Sequence, residues 1–281
     1  MKDLSAMPWG LWARQVGSVA RLEVKKSFLS KRALWIYLLA LLPVILTAGH
    51  SIVESYRSRP GCSIPEDTMI FAGIFQFFYL RLGIYFGCVG IFTNLFRAEI
   101  LERTMHYYFL APLRREVLLV GKYVSGMIAA VVLFTISVAA SYLTIAAHFG
   151  AEWRSFVLQG AGLNQFVWYL VVTVLACVGY GAVFLIAGLI FKNPMIPAAL
   201  FMVWEGINGF LPAFLQKLSV TFYLKSLSPV QVPVEGPLAL LVQNAEPTPA
   251  WLAIPGLLMV SVAILFLAAR RVQRLEVSYT E

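Results

Sequence analysis

Residues 166–191 read FVWYLVVTVLACVGYGAVFLIAGLIF, an uninterrupted stretch without a single charged side chain. A helix rises 1.5 Å per residue, and about 20 apolar residues cross the hydrocarbon core of a bilayer. In lipid the backbone groups of such a stretch must be satisfied within the segment, which favours a helix. This stretch therefore predicts a transmembrane helix and makes a membrane protein the expected class.

Five further apolar runs of comparable length flank this stretch in the 281-residue chain. They are Ala33–Gly49, Met69–Leu95, Val117–Phe149, Pro194–Leu215 and Ala250–Ala269. The first run is short and is expected to extend by a turn at either end, whereas the third is long enough to begin outside the hydrocarbon. We therefore predict an all-α membrane protein with six transmembrane helices.

The overall composition leads to the same class. Hydrophobic residues make up 60% of the chain and charged residues 13%, against about 45–50% and about 25% in soluble domains. A soluble fold of this size could neither bury so much apolar surface nor cover its outside with so few charges. The composition excludes a soluble enzyme, a disordered protein and a nucleic-acid-binding domain, so no nucleic-acid partner is expected.

The basic residues orient the predicted spans. Of the 22 lysines and arginines, 16 fall in the N-terminal segment, the second-to-third and fourth-to-fifth connections and the C-terminal tail. By the positive-inside rule both termini are cytoplasmic, and the protein is a multi-pass protein of the cell membrane. We predict one transmembrane domain over residues 1–281, with a cytoplasmic interfacial helix in 1–32, a six-helix bundle in 33–269 and a cytoplasmic tail in 270–281. The early basic residues leave no compact apolar core, so no cleavable signal peptide is expected.

The segment before the first span has the pattern of a surface helix. Aromatic and aliphatic residues recur there at three- and four-residue steps: Trp9, Trp12, Val16, Val19 and Leu22. Basic residues are interspersed among them, which is typical of a helix lying at the membrane surface. The alternative is a merely solvated leader.

The second-to-third connection, LFRAEILERTMHYYFLAPLRREVLLVGKYVSG over residues 95–126, mixes acids, bases and aromatics. The polar residues Glu99, Glu102, Arg103 and His106 recur at helical steps and are expected to form one polar face. Pro112 is expected to end or kink the segment because its ring blocks the hydrogen-bond ladder of a helix. The amphipathic helix so predicted lies either on lipid headgroups or in the groove of a cytoplasmic partner.

Two charges fall near the middle of predicted spans. Arg81 lies in the second span and Glu205 in the fifth, where a lone charge costs about 2.5–3.5 kcal/mol on insertion scales. Their opposite signs and matching depth suggest an intramembrane charge pair. Such a pair either braces the bundle or lines a substrate path or a moving interface.

Nothing in the sequence points to catalysis or to a metal bound by this chain. The histidines are His50, His106 and His148, and no two have the spacing of a helical metal motif. The cysteines are Cys62, Cys88 and Cys177, with no CxxC pair. The dipeptide Gly121-Lys122 lacks the upstream glycine of a phosphate-binding loop. We therefore predict no catalytic residue, no metal and no ATPase site.

Residues 102–126 resemble the cytoplasmic signature of ABC-2-type transporter permeases. In that family an acidic-basic pair is followed by an apolar stretch, a proline, one or two arginines and a Gly-Lys that opens the third helix. The matching residues here are Glu102, Arg103, Pro112, Arg114, Arg115, Gly121 and Lys122. The family often has glycine where Thr104 stands. The family is also similar in its N-terminal helix, its six spans and a long connection before the last span, here the proline-rich Gln216–Pro249. Within this connection the apolar stretch 236–242 is expected either to dip into the membrane or to lie on its surface.

The resemblance implies a permease subunit of an ATP-driven exporter. Its helix between the second and third spans would be a coupling helix, here Glu99–Leu110, docked on a separate cytoplasmic ATPase that binds ATP and Mg²⁺. The residues implied in coupling are Glu99, Glu102, Arg103, His106, Tyr108, Pro112 and Arg114. Two permeases, identical or paired, would form the pathway. Two other interpretations stay open: a membrane anchor or assembly subunit that transports nothing, and a proton- or ion-driven carrier that uses Glu205.

Overall fold

The computed structural model describes residues 8–30, 33–57, 61–110, 112–217, 219–232 and 248–274. These residues are almost entirely helical and contain no strand. The α-helices are α1 (Trp9–Leu29), α2 (Ala33–Ser55), α3 (Ile64–Gly73), α4 (Ile84–Phe92), α5 (Asn94–Leu101), α6 (Met105–Leu110), α7 (Arg115–Ile145), α8 (Ala151–Gln159), α9 (Gly162–Ile190), α10 (Met195–Ile207), α11 (Ala213–Gln216), α12 (Val220–Ser226) and α13 (Ala250–Gln273). A π-helical segment, Ile74–Gly83, joins α3 to α4, and 3₁₀ turns cover Ala147–Phe149 and Asn208–Phe210.

Five helices are long and apolar enough to cross a membrane. They are α2, the continuous run Ile64–Leu101 formed by α3 to α5, α7, α9 and α13. The prediction of an all-helical membrane protein is confirmed at this level. The predicted fifth span, Pro194–Leu215, is not one helix. Its first helical part ends at Phe210, because Pro212 supplies no amide hydrogen and disfavours a helical conformation at the residue before it, and the short helix α11 begins after this break.

Side-chain contacts give the relative directions of four long helices. The Thr47 and Thr144 hydroxyls lie 2.9 Å apart near the ends of α2 and α7, so these two helices run the same way. The Tyr142 hydroxyl, late in α7, donates to the Gly162 carbonyl at the start of α9 at 3.0 Å, so α9 returns. We call the end of the bundle where α2 and α7 begin the α1 end, and the end where they finish the far end. Helix α13 also finishes at the α1 end, since the Arg115 guanidinium donates to the Gln273 carbonyl at 2.7 Å.

Small and hydroxyl-bearing residues let these helices approach closely. The buried Tyr79 hydroxyl lies 2.7 Å from the Ser137 hydroxyl and 2.8 Å from that of Ser141, which satisfies three polar groups between two spans. At Gly188 a β-carbon would stand 2.6 Å from the carbonyl oxygen of Thr93, so only glycine permits this contact between α9 and the end of α4.

The N-terminal segment forms the predicted helix over Trp9–Leu29. It packs along the beginning of α7, where Gly121 leaves room for Val19. The Gln15 amide donates to the Pro112 carbonyl at 3.2 Å, and the Arg114 guanidinium lies 4.9 Å from the Trp12 ring. Helix α1 is therefore fixed against the bundle by specific contacts and is not a solvated leader.

Candidate functional site

The connection between the second span and α7 is built from two short helices. Helix α5 continues the span to Leu101, and α6 begins at Met105. Between them Arg103 adopts a left-handed backbone conformation, with φ of 56°, which breaks the helical ladder and redirects the chain. The prediction of one coupling helix over Glu99–Leu110 is therefore wrong. Pro112 lies in the non-helical connection before α7, as predicted.

A buried ion cluster joins α1, α5, α6 and α7 at this point. The Lys122 side chain has no solvent exposure, and its ammonium lies 2.8 Å from the Glu23 carboxylate and 2.7 Å from that of Glu99. It also donates to the Leu95 carbonyl at 2.7 Å. The Tyr108 hydroxyl donates to the same Glu23 oxygen at 3.1 Å. We call Glu23, Glu99, Tyr108 and Lys122 the Lys122 cluster.

The cluster is held by charge and by aromatic surface together. The Lys122 ammonium lies 5.0 Å from the Tyr108 ring and 5.3 Å from the Phe96 ring, within the range of cation–π attraction. Burial raises the pKa of the Glu23 carboxyl, but the Lys122 ammonium, a hydrogen bond with Glu99 and the Lys26 ammonium together lower it below its ordinary value, whereas burial raises the pKa of the Glu99 carboxyl. Burial, together with the Glu99 and Glu23 carboxylates, raises the pKa of the Tyr108 hydroxyl, which stays protonated and able to donate.

The structure separates the residues predicted to form one polar face. Glu99 is 1% exposed and belongs to the Lys122 cluster, so it is not part of a docking surface. Glu102 and Arg103 are exposed at the turn between α5 and α6. Tyr108 faces the cluster, Arg114 contacts Trp12 and Glu116, and the side chain of His106 lies outside the described part of the chain.

Beside the turn, the α5–α6 connection exposes large apolar side chains. Leu101 is 62% exposed, Tyr107 66% and Leu110 80%. Together with Glu102 and Arg103 they form a surface of mixed character, which we call the α5–α6 surface. Behind it, a cavity of about 250 Å³ lies between α1, α2 and α5 and is lined in part by Glu23, Lys26 and Asn94.

Arg81 and Glu205, the predicted charge pair, form no ion pair with each other in the part of the chain that the structure describes. The Glu205 carboxylate instead accepts from the Ser219 hydroxyl at 2.6 Å and from the amides of Val220 and Thr221 at 3.0 and 2.9 Å. These amides are the free donors at the start of α12, so the carboxylate caps that helix. Arg81 lies in the π-helical segment, with its guanidinium 5.4 Å from the Phe77 ring.

The apolar stretch 236–242, predicted to dip into the membrane or lie on it, is outside the described residues. Sequence reasoning also missed the role of Glu23. A single acidic residue in an otherwise basic surface helix was a usable signal, as was Lys122 within an apolar run. The sequence did not indicate that Glu23 and Lys122 pair with each other, because their contact depends on how α1 packs against α7.

No protein-family model matches the chain, and no curated protein is significantly similar to it.

Proposed function

We propose that this chain is the transmembrane permease subunit of an ATP-driven ABC exporter. It forms half of a translocation pathway with a second permease chain, identical or related, in the cell membrane. Under this proposal the α1 end is cytoplasmic, the connection from Ile190 to Ala250 supplies the sixth crossing, and both termini are cytoplasmic. A separate subunit binds ATP together with Mg²⁺ and hydrolyses the ATP.

The observation that carries the proposal is the α5–α6 surface and its connection to the spans. Three large apolar side chains, Leu101, Tyr107 and Leu110, are more than 60% exposed beside the charged residues Glu102 and Arg103. Exposed apolar groups rimmed by charge are typical of a protein-binding surface. The surface belongs to short helices outside the long apolar part of the second span, where a water-soluble partner can reach it.

The Lys122 cluster supplies the mechanical link that coupling requires. Met105 and Tyr108 of α6 face inward, Met105 with no exposure and Tyr108 bonded to Glu23 of α1. Lys122 connects the same carboxylate to α7 and to the Leu95 carbonyl at the end of the second span. A displacement of α6 by a partner would therefore move α1, α7 and the second span together, since breaking a buried ion pair costs several kcal/mol.

The proton- or ion-driven carrier is the less favoured alternative. Its titrating group would be Glu205, yet this carboxylate already accepts three hydrogen bonds that cap α12. Moving this side chain in a transport cycle would break all three of these hydrogen bonds and free the start of α12. The other alternative, a membrane anchor or assembly subunit that transports nothing, is tested by the experiment below.

The test is purification of the tagged protein from its native host in mild detergent, followed by an ATPase assay of the complex. We expect ATP hydrolysis to co-purify and to fall at least about tenfold for Tyr107→Ala combined with Leu110→Ala, since truncated hot-spot residues cost about 2 kcal/mol or more. The matched control is Tyr56→Ala combined with Leu158→Ala, which are 87% and 70% exposed on the far-end connections. This control should retain the activity.

Two results would contradict the proposal. One is an intact protein that carries no ATPase when purified from the host. The other is equal loss in the α5–α6 variant and in the far-end control. An attached partner without ATPase activity, released by the α5–α6 variant alone, would favour the anchor subunit, and pH-gradient-driven uptake without ATP would favour the carrier.

A further inference from the structure

A second cluster of ionisable side chains lies at the far end, in no contact with the Lys122 cluster. His50 near the end of α2, Asp67 in the first turn of α3 and His148 in the 3₁₀ turn after α7 meet there. The Nε2 atom of His50 lies 3.2 Å from Oδ1 of Asp67, and the Nε2 atom of His148 lies 3.7 Å from its Oδ2. One carboxylate therefore stands between two imidazoles.

The polar atoms of this cluster are not satisfied by the described residues. The side chain of Asp67 has no exposure and that of His148 is 4% exposed. Yet Oδ2 of Asp67 and both ring nitrogens of His148 have no hydrogen-bond partner in the described ranges. Buried polar atoms are nearly always paired, and an unpaired carboxylate oxygen is costly to bury. A cation would pair with the lone pairs of the carboxylate and of both imidazoles at once.

A fourth donor completes a set that suits a transition metal. The donor atoms of His50, Cys62 and Asp67 all lie within 4.8 Å of one another. Four donors bound to Zn²⁺ at about 2.0–2.3 Å stand roughly 3.3–3.8 Å apart in a tetrahedron. His148 lies outside this group of three, with its Nε2 atom 3.7 Å from Asp67 and its ring centre 6.0 Å from that of His50, so its side chain must move toward the other donors to complete the set. Two imidazoles, a carboxylate and a thiolate favour Zn²⁺ over Ca²⁺ or Mg²⁺, which prefer oxygen ligands.

The residues behind these donors hold them in place. Glu54 is 7% exposed, and its carboxylate accepts from the Arg57 guanidinium at 2.8 Å and from the Gly61 amide at 2.9 Å. This fixes both sides of the α2–α3 connection that carries Cys62. The Ser63 amide donates to the Glu66 carboxylate at 2.7 Å in a capping box, which fixes the beginning of α3 and with it Asp67.

We propose that His50, Cys62, Asp67 and His148 bind one Zn²⁺ ion that ties α2, α3 and the end of α7 together at the far end. These residues have no motif spacing in the sequence, which therefore predicts no metal in this chain. Three helices and a turn bring them together only in the folded bundle. This proposal does not depend on the permease function, since it concerns the opposite end of the molecule.

The experiment uses the full chain in detergent, with a tag that contains no histidine. After chelator treatment and dialysis against Zn²⁺, we expect one bound ion per chain by elemental analysis. Co²⁺ as a probe should give the visible spectrum of a tetrahedral site and a near-ultraviolet thiolate band. His50→Ala and His148→Ala should each weaken Zn²⁺ binding at least about a hundredfold, because loss of a group that merely orients a ligand costs about 10–100-fold. His106→Ala is the matched control and should bind as the parent does.

The proposal fails if the parent binds no Zn²⁺, or if His50→Ala and His148→Ala bind it as well as the parent does. If the histidine variants elute as aggregates, Cys62→Ser is the deciding variant, because it removes a half-buried thiol from a connection and changes no residue of a helix. Loss of the thiolate band in that variant supports the site, and an unchanged band overturns it.

Discussion

Replacing Lys122 by methionine tests whether the Lys122 cluster holds the α1 end together. Methionine fills a similar volume but carries no charge. It leaves the Glu23 and Glu99 carboxylates, 3% and 1% exposed, without the ammonium that lies within 2.8 Å of each. Removing one partner of a buried ion pair costs about 3–5 kcal/mol. Lys26 cannot replace it, because it is 3.8 Å from Glu99 with a side chain 44% exposed.

The chain contains its own reporters for this measurement. Cys88 and Cys177 are buried and free, so a thiol-reactive dye labels them only as the protein unfolds. In a Cys62→Ser background, the midpoint of thermal labelling should fall by roughly 6–20 °C in Lys122→Met, at about 2–4 °C per kcal/mol. The variant Glu23→Gln/Glu99→Gln/Lys122→Met should be more stable than Lys122→Met alone, because it leaves no uncompensated charge.

The pH dependence of the stability difference between the parent and Lys122→Met is an independent test. In the parent, Lys122 lowers the pKa of Glu23 below its ordinary 4.5, so the stability it contributes is present above pH 4.5 and is lost as pH falls through the lowered pKa. In Lys122→Met, burial dominates and raises that pKa, so the penalty is relieved as pH falls. The difference between the two proteins should therefore shrink in acid. A Lys122→Met midpoint within about 2 °C of the parent, or a triple variant less stable than the single one, would refute the reasoning.

Three further predictions use the same labelling assay. Gly188→Ala should lower the free energy of unfolding by about 1–3 kcal/mol, because the new β-carbon would stand 2.6 Å from the Thr93 carbonyl oxygen. The control Gly256→Ala, whose β-carbon would meet nothing within 4 Å, should not destabilise the protein, and equal midpoints for the two variants would contradict this prediction. Glu205→Ala should cost about 1–3 kcal/mol by freeing the amides at the start of α12, and more than Arg81→Met, for which the described residues provide no hydrogen bond. Lys225 is partly buried near the like charge of Arg81, so Lys225→Met should be at least as stable as the parent, and a lower midpoint would contradict this.

Apolar length predicts the long helices well because it is a local property. The stretch Phe166–Phe191 becomes α9 over Gly162–Ile190, and the short first run Ala33–Gly49 extends to Ser55. The fifth run shows the limit, since its apolar length masked the break before Pro212. Hydropathy measures how well a segment tolerates lipid, whereas the end of a helix depends on which residue can continue the backbone ladder.

The candidate sites were harder to predict because their residues meet only through packing. Helical spacing put Glu99 on the same face as Glu102, Arg103 and His106, but Glu99 is buried in the Lys122 cluster, and the left-handed Arg103 ends the helical ladder directly after Glu102. Opposite charge and equal depth suggested that Arg81 pairs with Glu205, yet α12 supplies closer donors to that carboxylate. A sequence pattern states which residues need a partner, and the fold decides which partner they find.

The two buried clusters differ in what they lack, and that difference separates their proposed roles. At the α1 end the Glu99 oxygens also have no hydrogen-bond partner among the described residues, but the Lys122 ammonium lies 2.7 Å from that carboxylate and supplies the cation. This ammonium has two carboxylates and a carbonyl within 2.8 Å, so the cluster is suited to transmit movement between helices. At the far end Asp67 and His148 keep unpartnered atoms in side chains that are 0% and 4% exposed. Because an unsatisfied buried carboxylate is costly, that arrangement is expected to persist only if a cation completes it. The α1 end is therefore where a protein partner should act, and the far end is where an ion should bind.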